Sequence, residues 1–102
     1  MKTNNDKDIE TSLTSLQGYI DISYDKLIEK LGPPSDNYDD YKSDAEWQIE
    51  FEDGTVATIY NYKDGKNYCG KDGLETKDIR DWHIGGHDKK IVEMVKKILT
   101  LK

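Results

Sequence analysis

The sequence predicts an α+β domain in which an N-terminal and a C-terminal helix pack on an antiparallel sheet of three to four strands. Two amphipathic helical patterns, one near the start and one at the end of the chain, give the helices. Two alternating segments joined by Asp53-Gly54 give the central hairpin of the sheet. The length of 102 residues fits one such domain.

The first segment, residues 1–14, is polar apart from a few isolated apolar side chains, so we predict a mobile N-terminal arm followed by a single domain over 15–102. Residues 16–22 hold β-branched and aromatic residues without helical spacing and predict a short strand. A helix follows, because Ser23 suits an N-cap and Gly32-Pro33-Pro34 forbids continuation. Its apolar positions have helical spacing: Tyr24, Leu27, Ile28 and Leu31.

The central hairpin joins residues 45–52, which alternate apolar and polar, to the return strand 55–62. Its register has two solutions. A two-residue turn pairs Phe51 with Val56, whereas a three-residue turn with Gly54 in a bulge pairs Phe51 with Thr55. In both registers the return strand has apolar residues on each face, which indicates that the second face of the sheet has a use.

The last third of the chain predicts a glycine-rich loop over 63–76, a strand over 79–84 and a closing helix over 89–101. The strand places Trp82 and Ile84 on one face and Asp81 and His83 on the other. The closing helix carries an apolar stripe formed by Ile91, Val92, Val95, Ile98 and Leu99.

Charge is divided unevenly along the chain. Residues 1–55 have a net charge of −9 and residues 56–102 of +3, within a total of −6. Overall acidity excludes duplex nucleic acid as the expected partner, because Lys and Arg supply most of the affinity for phosphate backbones. The single cysteine, Cys69, makes no internal disulfide, and no segment has the apolar run of a signal peptide or membrane span. We therefore predict a cytoplasmic protein without membrane contact, and its small core favours a homo-oligomer, most simply a dimer.

The candidate binding site is the junction where the strand runs through Gly85-Gly86 towards the closing helix. Glycines allow close backbone approach, and helix N-termini offer free N–H groups to a phosphate or carboxylate. The alternative is a tight turn in which Asp88 caps the helix and occupies those groups. The predicted ligand-binding residues are Tyr60, Tyr62, Trp82, His83, Gly85, Gly86, His87 and Lys89, with the aromatic rings stacking on a base.

The two histidines and Cys69 suggest two other chemistries. His83-x-x-x-His87 has the spacing of a helical metal pair, but the intervening glycines disfavour a helix and no further ligand set accompanies it. Cys69 with a histidine base lacks the context of a nucleophile. The sequence therefore predicts no metal, no cofactor and no catalytic residue.

Two motifs, residues 53–60 (DGTVATIY) and 82–86 (WHIGG), resemble a family of small proteins of phages and large DNA viruses to which no reaction is assigned. The helix, the Gly-x-Pro segment and the Asp-Gly hairpin also resemble domains of the β-lactamase-inhibitor-protein type, which bind proteins. The viral resemblance implies a counter-defence role in the cytoplasm of an infected host cell.

Three functions follow as hypotheses. The preferred one is non-enzymatic binding of a small anionic, nucleotide-derived ligand, which would sequester a messenger of host defence in a site closed by a homodimer. The alternative is an acidic interaction module that inhibits a host defence protein. A weaker alternative is a hydrolase that acts on the same messenger with His83 or His87 as base.

Overall fold

Five antiparallel strands form one sheet in the described part of the chain, which comprises residues 1–36 and 40–100 of a computed structural model. The order across the sheet is β1-β3-β4-β5-β2. The strands are β1 Lys2–Thr3, β2 Ser15–Asp21, β3 Glu46–Glu50, β4 Val56–Tyr60 and β5 Asp81–Gly86, and the helices are α1 Tyr24–Leu31, α2 Lys66–Cys69 and α3 Lys90–Thr100. The predicted α+β class is confirmed. The predicted strand count is too low by one, because Lys2–Thr3 adds an edge strand.

Helix α1 forms as its sequence predicts. The Ser23 side chain accepts a hydrogen bond from the backbone N–H of Lys26 at 3.1 Å, which satisfies one of the free donors of the first turn. Gly32 ends the helix with a φ of 79°, and its N–H donates to the carbonyl of Ile28 at 2.8 Å. Leu27 and Leu31 point into the core.

The central hairpin adopts the three-residue turn. Phe51 N donates to the carbonyl of Thr55 at 2.8 Å, and Gly54 takes a φ of 87°. This register pairs Trp47 with Ile59 and places both on the helix-covered face, where each is fully buried. The two-residue alternative is excluded, because it would turn Ile59 away from the core.

The core lies between α1, α3 and one face of the sheet. The two indoles meet edge to face at its centre, with the Trp47 and Trp82 rings 5.4 Å apart. Both indole N–H groups have partners: Trp47 Nε1 donates to the Gly32 carbonyl at 2.8 Å, and Trp82 Nε1 donates to that of Ile22 at 3.0 Å. The buried aliphatic residues around them include Leu27, Leu31, Ile49, Ile59, Ile79, Ile84, Ile91, Val95 and Leu99.

The N-terminal segment is bound to the sheet along its first residues. Lys2 pairs with Glu50 and Thr3 with Ile49. The side chain of Asn5 donates to the carbonyls of Leu31, at 3.0 Å, and of Pro33, at 2.8 Å. The mobility predicted for residues 1–14 stays a prediction about motion, but the segment contributes a strand and side-chain contacts that its polar composition did not indicate.

Residues 4–14 connect the β1 edge of the sheet to the β2 edge on the opposite side. Lys7 forms an ion pair of 2.9 Å with Glu50, whose side chain is on the sheet face away from α1 and α3. We call this face the outer face. Gln48 and Thr58, which also point to it, are each only 5% exposed. The crossing segment therefore covers part of the outer face and leaves the part near His83 open.

The prediction that residues 63–76 form a loop without regular structure is wrong. This segment contains the short helix α2 and a 3-10 turn over Gly70–Asp72. Residues 35–44 lack hydrophobic periodicity and predict a loop between α1 and β3. Residues 37–39 of this segment lie outside the described residues.

Candidate functional site: an aromatic groove on the outer face

Three rings form a row straight across the outer face of the sheet. Tyr60 of β4 and Tyr19 of β2 are both register partners of His83 in β5. The ring centroid of His83 is 5.5 Å from that of Tyr60 and 4.8 Å from that of Tyr19. Cross-strand neighbours on one face are close enough for aromatic rings to interact directly, so the register itself builds this row.

A fourth ring and an aliphatic side chain complete a groove beside the row. The ring of Tyr62 lies 5.6 Å from His83 with an angle of 30° between their planes. Leu16, Tyr60, Tyr62 and His83 line a groove of about 310 Å³. We call it the aromatic groove. Its volume is at the lower end of the range of about 300–1,000 Å³ typical of small-molecule sites.

Gly85 forms a flat position in the outer face next to this groove. A Cβ atom there would lie 2.4 Å from Thr58 Oγ1 and 3.4 Å from the ring of Tyr60. Because the distance to Thr58 Oγ1 is too short, a side chain at this position would displace Thr58, whereas the distance to the Tyr60 ring is an ordinary contact. Glycine therefore leaves room for the Thr58 side chain beside the groove.

Two lysines lie at the Tyr62 end of the aromatic groove. The Lys63 ammonium is 5.2 Å from the centroid of the Tyr62 ring and 5.1 Å from that of Tyr68. The Lys42 ammonium is 6.0 Å from the Tyr62 centroid. Cation–π contacts of this length hold positive charge beside the ring face, which gives the groove a cationic end.

The backbone at Lys63 is fixed in an unusual conformation. Its φ is 60°, in the left-handed region that non-glycine residues seldom occupy. The Lys63 N–H donates to the carbonyl of Lys42 at 2.8 Å, and the Cys69 thiol donates to the Lys63 carbonyl at 3.1 Å. These bonds from both sides hold the strained residue and set the direction of its side chain.

Asn61, which is fully buried, anchors the same end of the groove. Its Oδ1 accepts from the backbone N–H groups of Asp44, at 2.7 Å, and Ala45, at 3.2 Å. Its Nδ2 donates to carboxylate oxygens of Asp44, at 2.9 Å, and Asp64, at 3.0 Å. Three of these bonds join the residues just before β3 to the end of β4, and the bond to Asp64 holds the turn after β4, so Asn61 positions the adjacent Tyr62.

Burial raises the pKa of Tyr60 above its ordinary value of 10.0, and the nearby Glu46 carboxylate and the neighbouring tyrosines raise it further. The phenol therefore stays protonated at neutral pH and offers a hydrogen-bond donor at the groove. No acid–base role at pH 7 follows from such a group.

The glycine pair does not form the predicted strand-to-helix turn. Both glycines lie inside β5, a central strand: Gly85 pairs with Thr58 and Leu16, and Gly86 pairs with Ala57 and Ser15. The backbone of a central strand is used by its two neighbours, so these residues offer no free N–H groups for a phosphate.

The N-terminus of α3 is capped by the side chain of Asp88. Asp88 Oδ1 accepts from the N–H of Lys90 at 2.9 Å, as in the alternative considered for the sequence. His87 follows the end of β5 and lines a separate cavity of about 40 Å³ with Val56, Asp88 and Ile91. Lys89 is exposed in the turn before α3. The predicted backbone anion site is therefore not formed.

The predicted ligand-binding residues thus separate into groups. Tyr60, Tyr62 and His83 converge on the aromatic groove, and Gly85 lies beside it. Trp82 is fully buried in the core on the other face, and Gly86 faces Ile91 of α3. Four further residues belong to the site but were not predicted, because their proximity to His83 or Tyr62 depends on strand order and loop conformation: Leu16, Tyr19, Lys42 and Lys63.

No protein-family model, curated protein or solved structure matches the chain. The viral and inhibitor-type resemblances therefore stay expectations. Among the described residues, no three His, Cys, Asp or Glu side chains are grouped as metal ligands. In residues 1–36 and 40–100, no helix has the length and apolar character needed to cross a membrane.

Proposed function

We propose that the protein binds a small anionic ligand with a planar ring, of the nucleotide class, in the aromatic groove. The observation that carries the proposal is the convergence of the Tyr60, Tyr62 and His83 rings on one groove whose Tyr62 end has the ammonium of Lys63 5.2 Å away. In this arrangement the base stacks against the rings and the phosphate lies towards Lys42 and Lys63.

The proposed ligand is held by side chains. A base presents its π-face to the Tyr62 and His83 rings and its edge to the phenol of Tyr60. Stacking of a base on an aromatic side chain contributes about 1–3 kcal/mol by substitution. The lysine charges then distinguish a nucleotide from its uncharged nucleoside.

The role of this binding is sequestration without chemical change. Tyr60 has a raised pKa, which suits a donor and not a base at pH 7. The viral resemblance of the DGTVATIY and WHIGG segments extends the proposal to nucleotide messengers of host defence. It also supplies the cellular setting, the cytoplasm of an infected cell.

Calorimetric titration with AMP, cyclic di-AMP, adenosine and inorganic phosphate tests the proposal. We expect heat with a nucleotide, weaker binding of adenosine, and weakening of the nucleotide complex between 50 and about 200 mM salt because the lysine contribution is screened. Absence of heat with both nucleotides at high protein concentration overturns the proposal and leaves the acidic protein-interaction module as the explanation to pursue.

The matched variants are Tyr62→Leu and Tyr68→Leu. Both tyrosines are 41% exposed and lie near the Lys63 ammonium, but only Tyr62 lines the aromatic groove. Tyr62→Leu should weaken nucleotide binding by about 5- to 100-fold, as expected from the loss of one stacking contact. Tyr68→Leu should leave it close to wild type. Equal effects of the two variants contradict binding in the groove.

Recovery of the titrated nucleotide separates sequestration from hydrolysis. After overnight incubation with equimolar protein, mass spectrometry should return the nucleotide unchanged. A hydrolysis product that disappears in a His83→Gln variant would instead support the hydrolase, with His83 as its base.

A further inference from the structure

Strand β2 forms one edge of the sheet, and no strand of the described residues lies beside it on the side away from β5. Within the described residues, β2 pairs only with β5. The Ile22 N–H donates to the Arg80 carbonyl at 3.1 Å, so Ile22 belongs to a hydrogen-bonded pair facing β5. Antiparallel pairs alternate, and the N–H and C=O groups of Tyr19 and Asp21 therefore point away from the sheet.

The only charged side chain of β2 is that of Asp21, at the end of the strand, which forms an ion pair of 2.9 Å with Arg80. Residues 15–20 contain no Asp, Glu, Lys, Arg or Pro, the residues that usually protect an exposed strand. Leu13 is 93% exposed, Leu16 45% and Tyr19 55%. Leu16 and Tyr19 of β2, with Leu13 just before the strand, give exposed apolar side chains near the open backbone, which is a surface suited to association.

The opposite edge of the sheet is closed. Asn4 N donates to the Gln48 carbonyl at 3.0 Å, and Ser35 N donates to the Glu46 carbonyl at 2.7 Å. The backbone of β3 on the side away from β4 is therefore hydrogen-bonded at residues that β1 does not reach. The terminal amine forms an ion pair with Glu52 at 2.7 Å. With one open and one closed edge, strand addition ends at two copies and does not continue into a fibre.

We propose that the open edge pairs with β2 of a second copy of this chain, so that two sheets join into one across a two-fold axis. Antiparallel pairing with Tyr19 opposite Tyr19 of the second copy uses the backbone groups that point outward. This register sets Asp21 opposite Gln17 and therefore avoids opposing two carboxylates. The row formed by Tyr60, His83 and Tyr19 then continues across the axis into the same row of the second copy.

The dimer is independent of ligand binding. The aromatic groove is lined by residues of one copy, so a wild type that binds nucleotide as a monomer, or that is a dimer without nucleotide heat, distinguishes failure of one proposal from failure of the other.

Sedimentation equilibrium of matched variants tests the edge. The wild type should have twice the 11.8 kDa mass of the chain. Tyr19→Lys places two ammonium groups opposite each other and should give a single-chain mass, whereas Tyr41→Lys, at a tyrosine that is 61% exposed and outside β2, should stay dimeric. A wild type that is monomeric up to several hundred micromolar overturns the proposal, as does a folded Tyr19→Lys variant that remains a dimer.

Disulfide formation between two copies tests the proposed register of the β2 pair. In a Cys69→Ser background, Tyr19→Cys should form an intermolecular disulfide under mild oxidation, because a hydrogen-bonded antiparallel pair has its Cα atoms about 5.5 Å apart and disulfides span about 4.4–6.8 Å. Leu74→Cys, at a similarly exposed residue away from the edge, is the control for random collision. Equal cross-linking of the two variants counts against the register.

Discussion

Gly86 is predicted to be required for the packing of α3 on the sheet. A Cβ atom added at Gly86 would lie 2.7 Å from Ile91 Cγ2 and 3.3 Å from Ile91 Cβ and Cγ1. Ordinary contacts between carbon atoms are about 3.5–4.0 Å, so α3 or the Ile91 side chain must move by up to about 1 Å to admit a methyl group.

The magnitude follows from two opposing effects. Overpacking of a core typically costs about 1–3 kcal/mol, and replacing glycine by alanine restricts the unfolded chain, which returns about 0.4–1 kcal/mol. We therefore expect Gly86→Ala to lower the free energy of unfolding by about 1–2 kcal/mol, which corresponds to a fall in Tm of roughly 4–15 °C for a domain of this size.

Urea unfolding followed by tryptophan fluorescence measures this change, since Trp47 and Trp82 are both fully buried. A double-mutant cycle identifies the contact. Ile91→Ala removes Cγ2, the nearest atom, together with Cγ1, so Gly86→Ala should cost about 1 kcal/mol less in the Ile91→Ala background than in the wild type.

Gly85→Ala is the matched control, because the same substitution one residue earlier points to the outer face. The loss of unfolding free energy in Gly85→Ala should depend on Thr58, whose Oγ1 would lie 2.4 Å from the new Cβ. This loss should be additive with that of Ile91→Ala. If Gly86→Ala is as stable as the wild type, or if its cost is equal in both Ile91 backgrounds, the packing argument is refuted.

Two further predictions concern the groove and its anchor. Asn61→Leu should lower the free energy of unfolding by about 2–4 kcal/mol, because it leaves the N–H groups of Asp44 and Ala45 without their acceptor; a urea midpoint equal to that of the wild type would contradict this. The pKa of Tyr60 is raised in the folded state, so the contribution of this side chain to folding stability is complete below pH 10.0. That contribution is lost as the pH rises through the folded-state pKa. Alkaline unfolding should therefore be shifted to higher pH in Tyr60→Phe, and the titration followed at 295 nm should lose one tyrosine whose pKa is raised above the ordinary value; an unchanged alkaline titration would contradict the assigned cause.

Local sequence signals predicted α1, α3 and the faces of the strands. Ser23 and Gly32 delimit α1 through hydrogen bonds within one turn, and Asp88 caps α3 in the same way. Alternation placed Trp47 and Trp82 on one face, and both are buried there. These features depend on residues within a few positions of each other, so the sequence contains the whole of their physical cause.

The aromatic groove was predicted only in part. Tyr60, Tyr62 and His83 were candidates because their rings were expected to lie near the Gly85-Gly86 turn. Tyr19 and Leu16 were not, because their position beside His83 requires β2 to pair with β5 across more than 60 residues of intervening sequence. Lys63 joined the site through a left-handed backbone conformation that its residue type does not predict.

The Gly85-Gly86 pair shows where local reasoning ends. The sequence by itself determined that this segment follows an apolar strand and precedes a helix, and that close approach of some neighbour was required. Only the tertiary structure decided which neighbours these are: Thr58 and Tyr60 over Gly85, and Ile91 over Gly86. The reason is physical, because a glycine leaves space on whichever face it presents, and the contacts that fill that space come from strands and helices distant in sequence.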